Sequence, residues 1–148
     1  MKTAFSMLDP TSLTAYAEEL ERLWSEHNEG ENFSLGLSRC TQIPEYVLQM
    51  FAVWGNPNEG ASEILQKFPA GMDSGWHWHT AAYQGVVIQG RFTHTFKGAA
   101  PQTGRPGSVW SQPAGQVHND KCEEGGDCIV LVYFHGKLDF MPVNMKAQ

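Results

Sequence analysis

From about residue 31 onward, the chain alternates short runs of β-forming residues with clusters of turn residues. Val, Ile, Phe, Tyr and Trp are common in the runs, as in "YVLQMFAVW" and "CIVLVYFHG". Gly, Pro, Asn and Asp fill the separators "GNPNEG", "PAGMDSG", "GAAPQTGRPG" and "EEGGD". Many short strands broken in this way are typical of an antiparallel sandwich or barrel. We therefore predict a mainly β, antiparallel barrel over about residues 33–140.

The segment before this region has helical periodicity. Asp9 or Thr11 can cap a helix, and Gly30 can end it. Apolar residues recur on one side, at Leu13, Tyr16, Ala17, Leu20, Leu23 and Trp24. We expect a short N-terminal α-helix at about residues 11–28, within an extension of about residues 1–32. It would pack on the sheet or on a second subunit.

The composition is that of one globular domain. The chain has 148 residues, of which 41% are hydrophobic and 18% charged. It contains no repeat of fixed period and no low-complexity tract, so residues 1–148 are predicted to form a single domain.

The charge pattern argues against nucleic-acid and membrane partners. The formal net charge is −6, and no basic run occurs. No apolar run reaches the length of a membrane span, and the N-terminal apolar stretch is too short for a signal peptide. We therefore expect a cytoplasmic protein.

The cysteine count favours reduced thiols, because Cys40, Cys122 and Cys128 are odd in number and lack zinc-finger spacing. Cys122 and Cys128 nevertheless flank the predicted loop "EEGGD". A disulfide between them therefore remains open.

A pair of histidines, His77 and His79, is the first candidate for chemistry. Residues two apart on a strand share a face, so the two imidazoles would point the same way. Such a pair commonly begins a metal site, which then needs a further ligand. Trp76 and Trp78 would point to the opposite face, where they need cover. A homodimer would supply that cover, so we expect one.

Two segments resemble the signature motifs of the cupin superfamily. They carry the matching positions Gly71, His77, His79, Tyr83 and Gly90 in the first, and Gly107, Pro113, Gly115 and His118 in the second. The segments "HTAAYQGVVIQG" and "PGSVWSQPAGQVH" resemble those of small cupin-like proteins related to the metal-binding domain of ChrR-type anti-sigma factors.

The resemblance implies a jelly-roll β-barrel that holds one divalent metal. His77, His79 and His118 are the ligands implied, with a small molecule bound in the barrel. The family's usual glutamate falls on Tyr83, or on Gln84 if one loop residue is extra. Gln84 is therefore a candidate oxygen ligand. Tyr83 is a candidate catalytic residue that would hydrogen-bond a substrate oxygen or a metal-bound water, or else an ordinary core tyrosine.

The absence of a carboxylate from the expected ligand set indicates which metals the site would bind and which class of function it would serve. Neutral imidazoles favour Zn, Fe or Ni over Mg and Mn. We expect a small-molecule enzyme of the three-histidine non-haem type, dioxygenase-like or a metal-dependent lyase, hydrolase or isomerase. The alternative is a non-catalytic metal- or ligand-sensing cupin. His94 and His135 are expected to be packed, hydrogen-bonded core residues outside the site.

Overall fold

The computed structural model describes residues 6–7 and 49–144. The strands in these ranges are β1 Ser6–Met7, β2 Gln49–Gly55, β3 Ser62–Phe68, β4 His77–Trp78, β5 Tyr83–Gln89, β6 Phe92–Phe96, β7 Gln102–Gly104, β8 Ser108–Gln112, β9 His118–Cys122, β10 Cys128–Phe134 and β11 Met141–Pro142. No helix long and apolar enough to cross a membrane occurs within the described ranges. The helix predicted at about residues 11–28 lies outside them.

The strands form two antiparallel sheets. The six-stranded sheet has the order β1-β8-β5-β10-β3-β2, and the five-stranded sheet has the order β11-β4-β9-β6-β7. Neighbours within each sheet are mostly distant in sequence, as the long-range connections of a jelly roll require. The prediction of a mainly antiparallel β fold is confirmed.

The core lies between the sheets and follows the two-residue period of the strands. In β10, which pairs with both β3 and β5, Val130, Val132 and Phe134 face inward and are at most 2% exposed. They join one hydrophobic cluster with Ile64 and Phe92 from other strands. Full burial of each such side chain stabilises the fold by about 1.5–3 kcal/mol relative to exposure.

Gly85 is required by the close approach of an aromatic ring. It lies opposite Trp110 in the β5–β8 pairing, and a Cβ at Gly85 would be 2.4 Å from the Trp110 ring. Trp110, which is 2% exposed, can therefore pack directly against the backbone at Gly85. Its indole then reaches the Tyr83 side chain.

A disulfide joins Cys122 and Cys128, which corrects the expectation of reduced thiols. The connection between them does not close a two-stranded hairpin, because β9 and β10 belong to different sheets. It instead carries the chain from one sheet to the other and leaves the two Cα atoms 5.7 Å apart, within the usual range for a disulfide. Cys40 lies outside the described residues.

Candidate metal centre

His77, His79 and His118 come together on the inner side of the five-stranded sheet. His77 lies opposite His118 in the β4–β9 pairing, and His79 follows His77 on the same face. Each side chain is buried, and each offers a nitrogen within 4.8 Å of the other two. This upper limit is somewhat longer than the ~4.2 Å that two imidazole nitrogens can span when both bind one metal, so a small inward movement of the rings would suffice. The structure therefore brings together the three histidines selected from the sequence.

Backbone carbonyls fix the orientation of all three rings. The Nδ1 atom of His77 lies 2.8 Å from the Gly75 carbonyl oxygen, and that of His118 lies 3.0 Å from the Gln116 carbonyl oxygen. The Nδ1 atom of His79 contacts the carbonyl oxygen of Asp139. When Nδ1–H donates in this way, the Nε2 lone pair is left free to bind a metal.

The unpartnered ring nitrogen of His118 is the feature that best fits a bound metal ion. Its Nε2 atom is buried and has no hydrogen-bond partner among the described residues. A buried acceptor without a partner is costly to a fold, and a cation bound to the lone pair would remove that cost.

Burial also keeps these imidazoles in the form that binds metals. It lowers the pKa of His77 to about 3 and that of His118 to about 4, in both cases against the opposing charge of Asp120. Burial lowers the pKa of His79 as well. All three rings are therefore neutral at pH 7, as metal ligation requires.

A carboxylate that the sequence analysis missed lies beside these histidines. Asp120 follows His118 by two residues on β9, and its Oδ2 atom is 3.6 Å from Nε2 of His118 and 3.9 Å from Nε2 of His77. The expectation of a site without a carboxylate is therefore wrong. The same two-residue strand rule that linked His77 to His79 applies to His118 and Asp120 and would have found it.

Asp120 is held in place by His94. The Nδ1 atom of His94 lies 2.6 Å from Oδ1 of Asp120, and the two residues are opposite each other in the β6–β9 pairing. Burial opposes ionisation of Asp120, but the imidazoles of His94, His118 and His77 outweigh it and hold the pKa of the carboxyl below its usual value. His94 is thus a buried, hydrogen-bonded residue as expected, but its partner faces the site.

Tyr83 also lies beside Asp120. Its hydroxyl donates to Oδ2 of Asp120 over 3.4 Å and accepts from the Trp110 indole N–H over 3.4 Å. Burial and the nearby Asp120 charge raise the pKa of Tyr83 well above its ordinary value, so the hydroxyl keeps its proton. Tyr83 is therefore a hydrogen-bond donor at the site.

The structure does not bring Gln84 to the histidines. Gln84 follows Tyr83 on β5 and points to the opposite, exposed face. Its Oε1 atom lies 2.7 Å from Nε2 of His135, which is also exposed. The expectation of a core position for His135 is wrong, because His135 lies on the same exposed face as Tyr133, with ring centroids 5.1 Å apart.

The pocket beside the histidines is mainly apolar. Phe140 stacks on His77 with ring centroids 4.3 Å apart. The other apolar lining residues include Met50, Phe68, Met72, Phe134 and Leu138. Asp120 and Asp139 are the acidic groups of the lining, and the described part of the chain contributes no lysine or arginine to it. The pocket therefore suits a molecule with an apolar body and a polar group directed at the histidines.

Comparison with solved structures identifies the class of fold. An RmlC-like cupin protein from Ralstonia eutropha JMP134 is 25% identical, with a TM-score of 0.55 over 67% of this chain and 61% of that chain. The DMSP lyase DddQ from Ruegeria pomeroyi DSS-3 is 20% identical, with a TM-score of 0.56 over 66% of this chain and 51% of that chain. Oxalate decarboxylase from Bacillus subtilis, which has Mn(II) centres, is 21% identical, with a TM-score of 0.53 over 65% of this chain and 28% of that chain. The chain has the cupin fold, and its match spans about half the length of the DMSP lyase chain.

The family can also be stated. Residues 48–138, more than half of the chain, match the family described as "Domain of unknown function (DUF4437)". The chain belongs to this family. The search of curated proteins found no match to this chain.

Proposed function

We propose that His77, His79 and His118 bind one divalent transition metal, and that the protein is a metal-dependent enzyme acting on a small molecule in the barrel. The observation that carries the proposal is the convergence of three buried imidazoles whose Nδ1 atoms are all occupied by backbone carbonyls. This arrangement leaves one nitrogen of each ring for a metal.

The metal would supply Lewis acidity, or oxygen activation if it is iron. The chain's own groups would orient the substrate beside it. Tyr83 would turn its single hydroxyl proton from Asp120 to a substrate oxygen, since the hydroxyl stays protonated. Phe140 and the other apolar lining residues would hold the body of the substrate and exclude water.

The lining also favours one class of substrate. Because the described lining contains no lysine or arginine, a second anionic group away from the metal would find no partner there. We therefore favour a small molecule with one oxygen donor and an apolar remainder. Metal-dependent lyase chemistry is the reaction class closest to the named enzymes of similar fold, and dioxygenase-like, hydrolase and isomerase chemistry are its competitors.

The test is an activity screen of protein stripped by chelator and reloaded anaerobically with Fe(II), Ni(II), Zn(II) or Mn(II). Each form is incubated with a panel of small oxygen-donor compounds, and products are followed by mass spectrometry and oxygen uptake. We expect metal-dependent turnover that is lost in His118→Ala and kept in His135→Ala, the matched control at an exposed histidine outside the site.

Loaded protein that binds a pocket compound without converting it would contradict the enzyme proposal and support a ligand sensor. Turnover that persists without metal would contradict the metal role.

A further inference from the structure

We infer that Asp120 is a fourth ligand of the metal, binding through Oδ2, and thus takes the role of the carboxylate missing from the first motif. This inference rests on the proposed three-histidine site and goes beyond it in the ligand set and in the metals selected.

The distances support a ligand role. Two atoms bound to one metal at about 2.0–2.2 Å can be at most about 4.4 Å apart. Oδ2 of Asp120 lies 3.6 Å from Nε2 of His118 and 3.9 Å from Nε2 of His77, within that limit for both. These are the nitrogens left free by the Nδ1 contacts with backbone carbonyls.

The surroundings of Asp120 support the same role. The side chain is 9% exposed, and within the described residues ring nitrogens of His77, His94 and His118 lie 2.6–3.9 Å from its carboxylate oxygens. A buried carboxylate needs a positive partner, and the described part of the pocket lining has no lysine or arginine. A divalent cation held by the neighbouring histidines would be that partner.

The other carboxylate oxygen of Asp120, Oδ1, already accepts a hydrogen bond. Oδ1 accepts from His94, while Oδ2 lies beside His118 and His77 and, within the described residues, also accepts from the Tyr83 hydroxyl. A ligating carboxylate is commonly oriented in this way by a hydrogen bond to its other oxygen. His94 is therefore a positioning residue for Asp120, and the site combines three imidazoles with one carboxylate.

The ligand set changes the metals that the site would accept. A carboxylate oxygen makes a site better for Mn²⁺ than imidazoles alone do, whereas Zn²⁺ binds well to both. The inference therefore predicts that losing the Asp120 charge weakens Mn(II) binding more than Zn(II) binding.

The experiment compares metal affinity in wild-type protein, Asp120→Asn and Asp127→Asn by calorimetry, with Mn(II) followed in parallel by electron paramagnetic resonance. Asp127→Asn is the matched control, because it removes the same charge at a carboxylate that contacts Ala70 N–H and Lys67 outside the pocket. We expect Asp120→Asn to weaken Mn(II) binding by at least the 10–100-fold typical of losing a supporting residue. Its Zn(II) binding should weaken less, and Asp127→Asn should match the wild type.

Equal Mn(II) affinity in wild type and a folded Asp120→Asn would overturn the role of Asp120 and leave the three-histidine site intact. No metal binding by the wild type would overturn both. If Asp120→Asn does not fold, a crystal structure of the Mn(II)-loaded wild type decides. Oδ2 at about 2.0–2.2 Å from the metal supports the inference, and Oδ2 beyond about 3 Å overturns it.

Discussion

His94 and Asp120 lie opposite each other across β6 and β9, and the imidazole Nδ1 of His94 is 2.6 Å from Oδ1 of Asp120. Both residues are buried, at 1% and 6% exposure of the whole residue. The pair places a fixed carboxylate next to three histidines that bind a metal in our account. It therefore connects the packing of the five-stranded sheet to the chemistry of the site.

His94→Ala should lower both stability and metal affinity. It leaves a buried carboxylate oxygen without its donor, at a cost of about 1–3 kcal/mol, and it opens a cavity in addition. The sequence placed His94 outside the site, which implies nearly normal metal binding for this variant, and the contact with Asp120 reverses that expectation. Denaturant unfolding and metal titration check it, with exposed His135→Ala expected within about 0.5 kcal/mol of the wild type. A His94→Ala protein as stable as the wild type would contradict the role of the pair.

The metal-free protein should lose stability as the pH falls below about 6.5. Unfolded histidines take up protons near the ordinary pKa of 6.5, whereas burial holds the folded pKa of His77 at about 3 and of His118 at about 4. The unfolded chain thus binds more protons between these values, and each residue contributes a loss of up to about 1.4 kcal/mol per pH unit. Urea unfolding from pH 7.5 to 4.5 measures the slope. A flat profile between pH 6.5 and 5 would show that these imidazoles are not buried in neutral form.

Gly85→Ala should destabilise the barrel through Trp110. The added methyl group would lie 2.4 Å from the buried indole, which must then move. Overpacking of this kind costs about 1–3 kcal/mol. Gly126→Ala is the control, because a Cβ there meets nothing within 4 Å. Melting temperatures compare the two variants, and an unchanged Gly85→Ala protein would contradict the close packing of Trp110.

We expect a homodimer in solution. Trp54 and Tyr133 stack on the outer face of the six-stranded sheet with ring centroids 6.2 Å apart, and they remain 56% and 39% exposed. Adjacent exposed aromatic rings are typical of an interaction surface. Light scattering should give twice the chain mass of 16.5 kDa, and a Trp54→Ser, Tyr133→Ser double variant should shift the protein toward the monomer. A wild-type mass near 16.5 kDa would contradict this prediction.

The sequence predicted those parts of the site that follow a local rule. The two-residue period of a strand put His77 and His79 on one face, and the resemblance to cupin motifs added His118. The same period links His118 to Asp120, but the resemblance placed the position of the family's glutamate in the first motif, at Tyr83 or Gln84. Alternation along β5 then separated those two, because only one of two adjacent residues can face the interior.

Other features depended on pairings that no local pattern reveals. His94 meets Asp120 because β6 and β9 are neighbours in a particular register. The loop between Cys122 and Cys128 left their disulfide open, but the crossing between sheets that this loop makes was not apparent from the sequence. Both contacts require the strand order, which the alternation of strands and turns does not specify.

The central claim is that His77, His79 and His118 together bind one metal ion. Its most direct test is the metal-to-protein ratio of the wild type and of His118→Ala, measured by elemental analysis after anaerobic reconstitution and removal of free metal. We predict about one metal per chain in the wild type and a large loss in His118→Ala, with His135→Ala unchanged. Undiminished metal in folded His118→Ala would contradict the site.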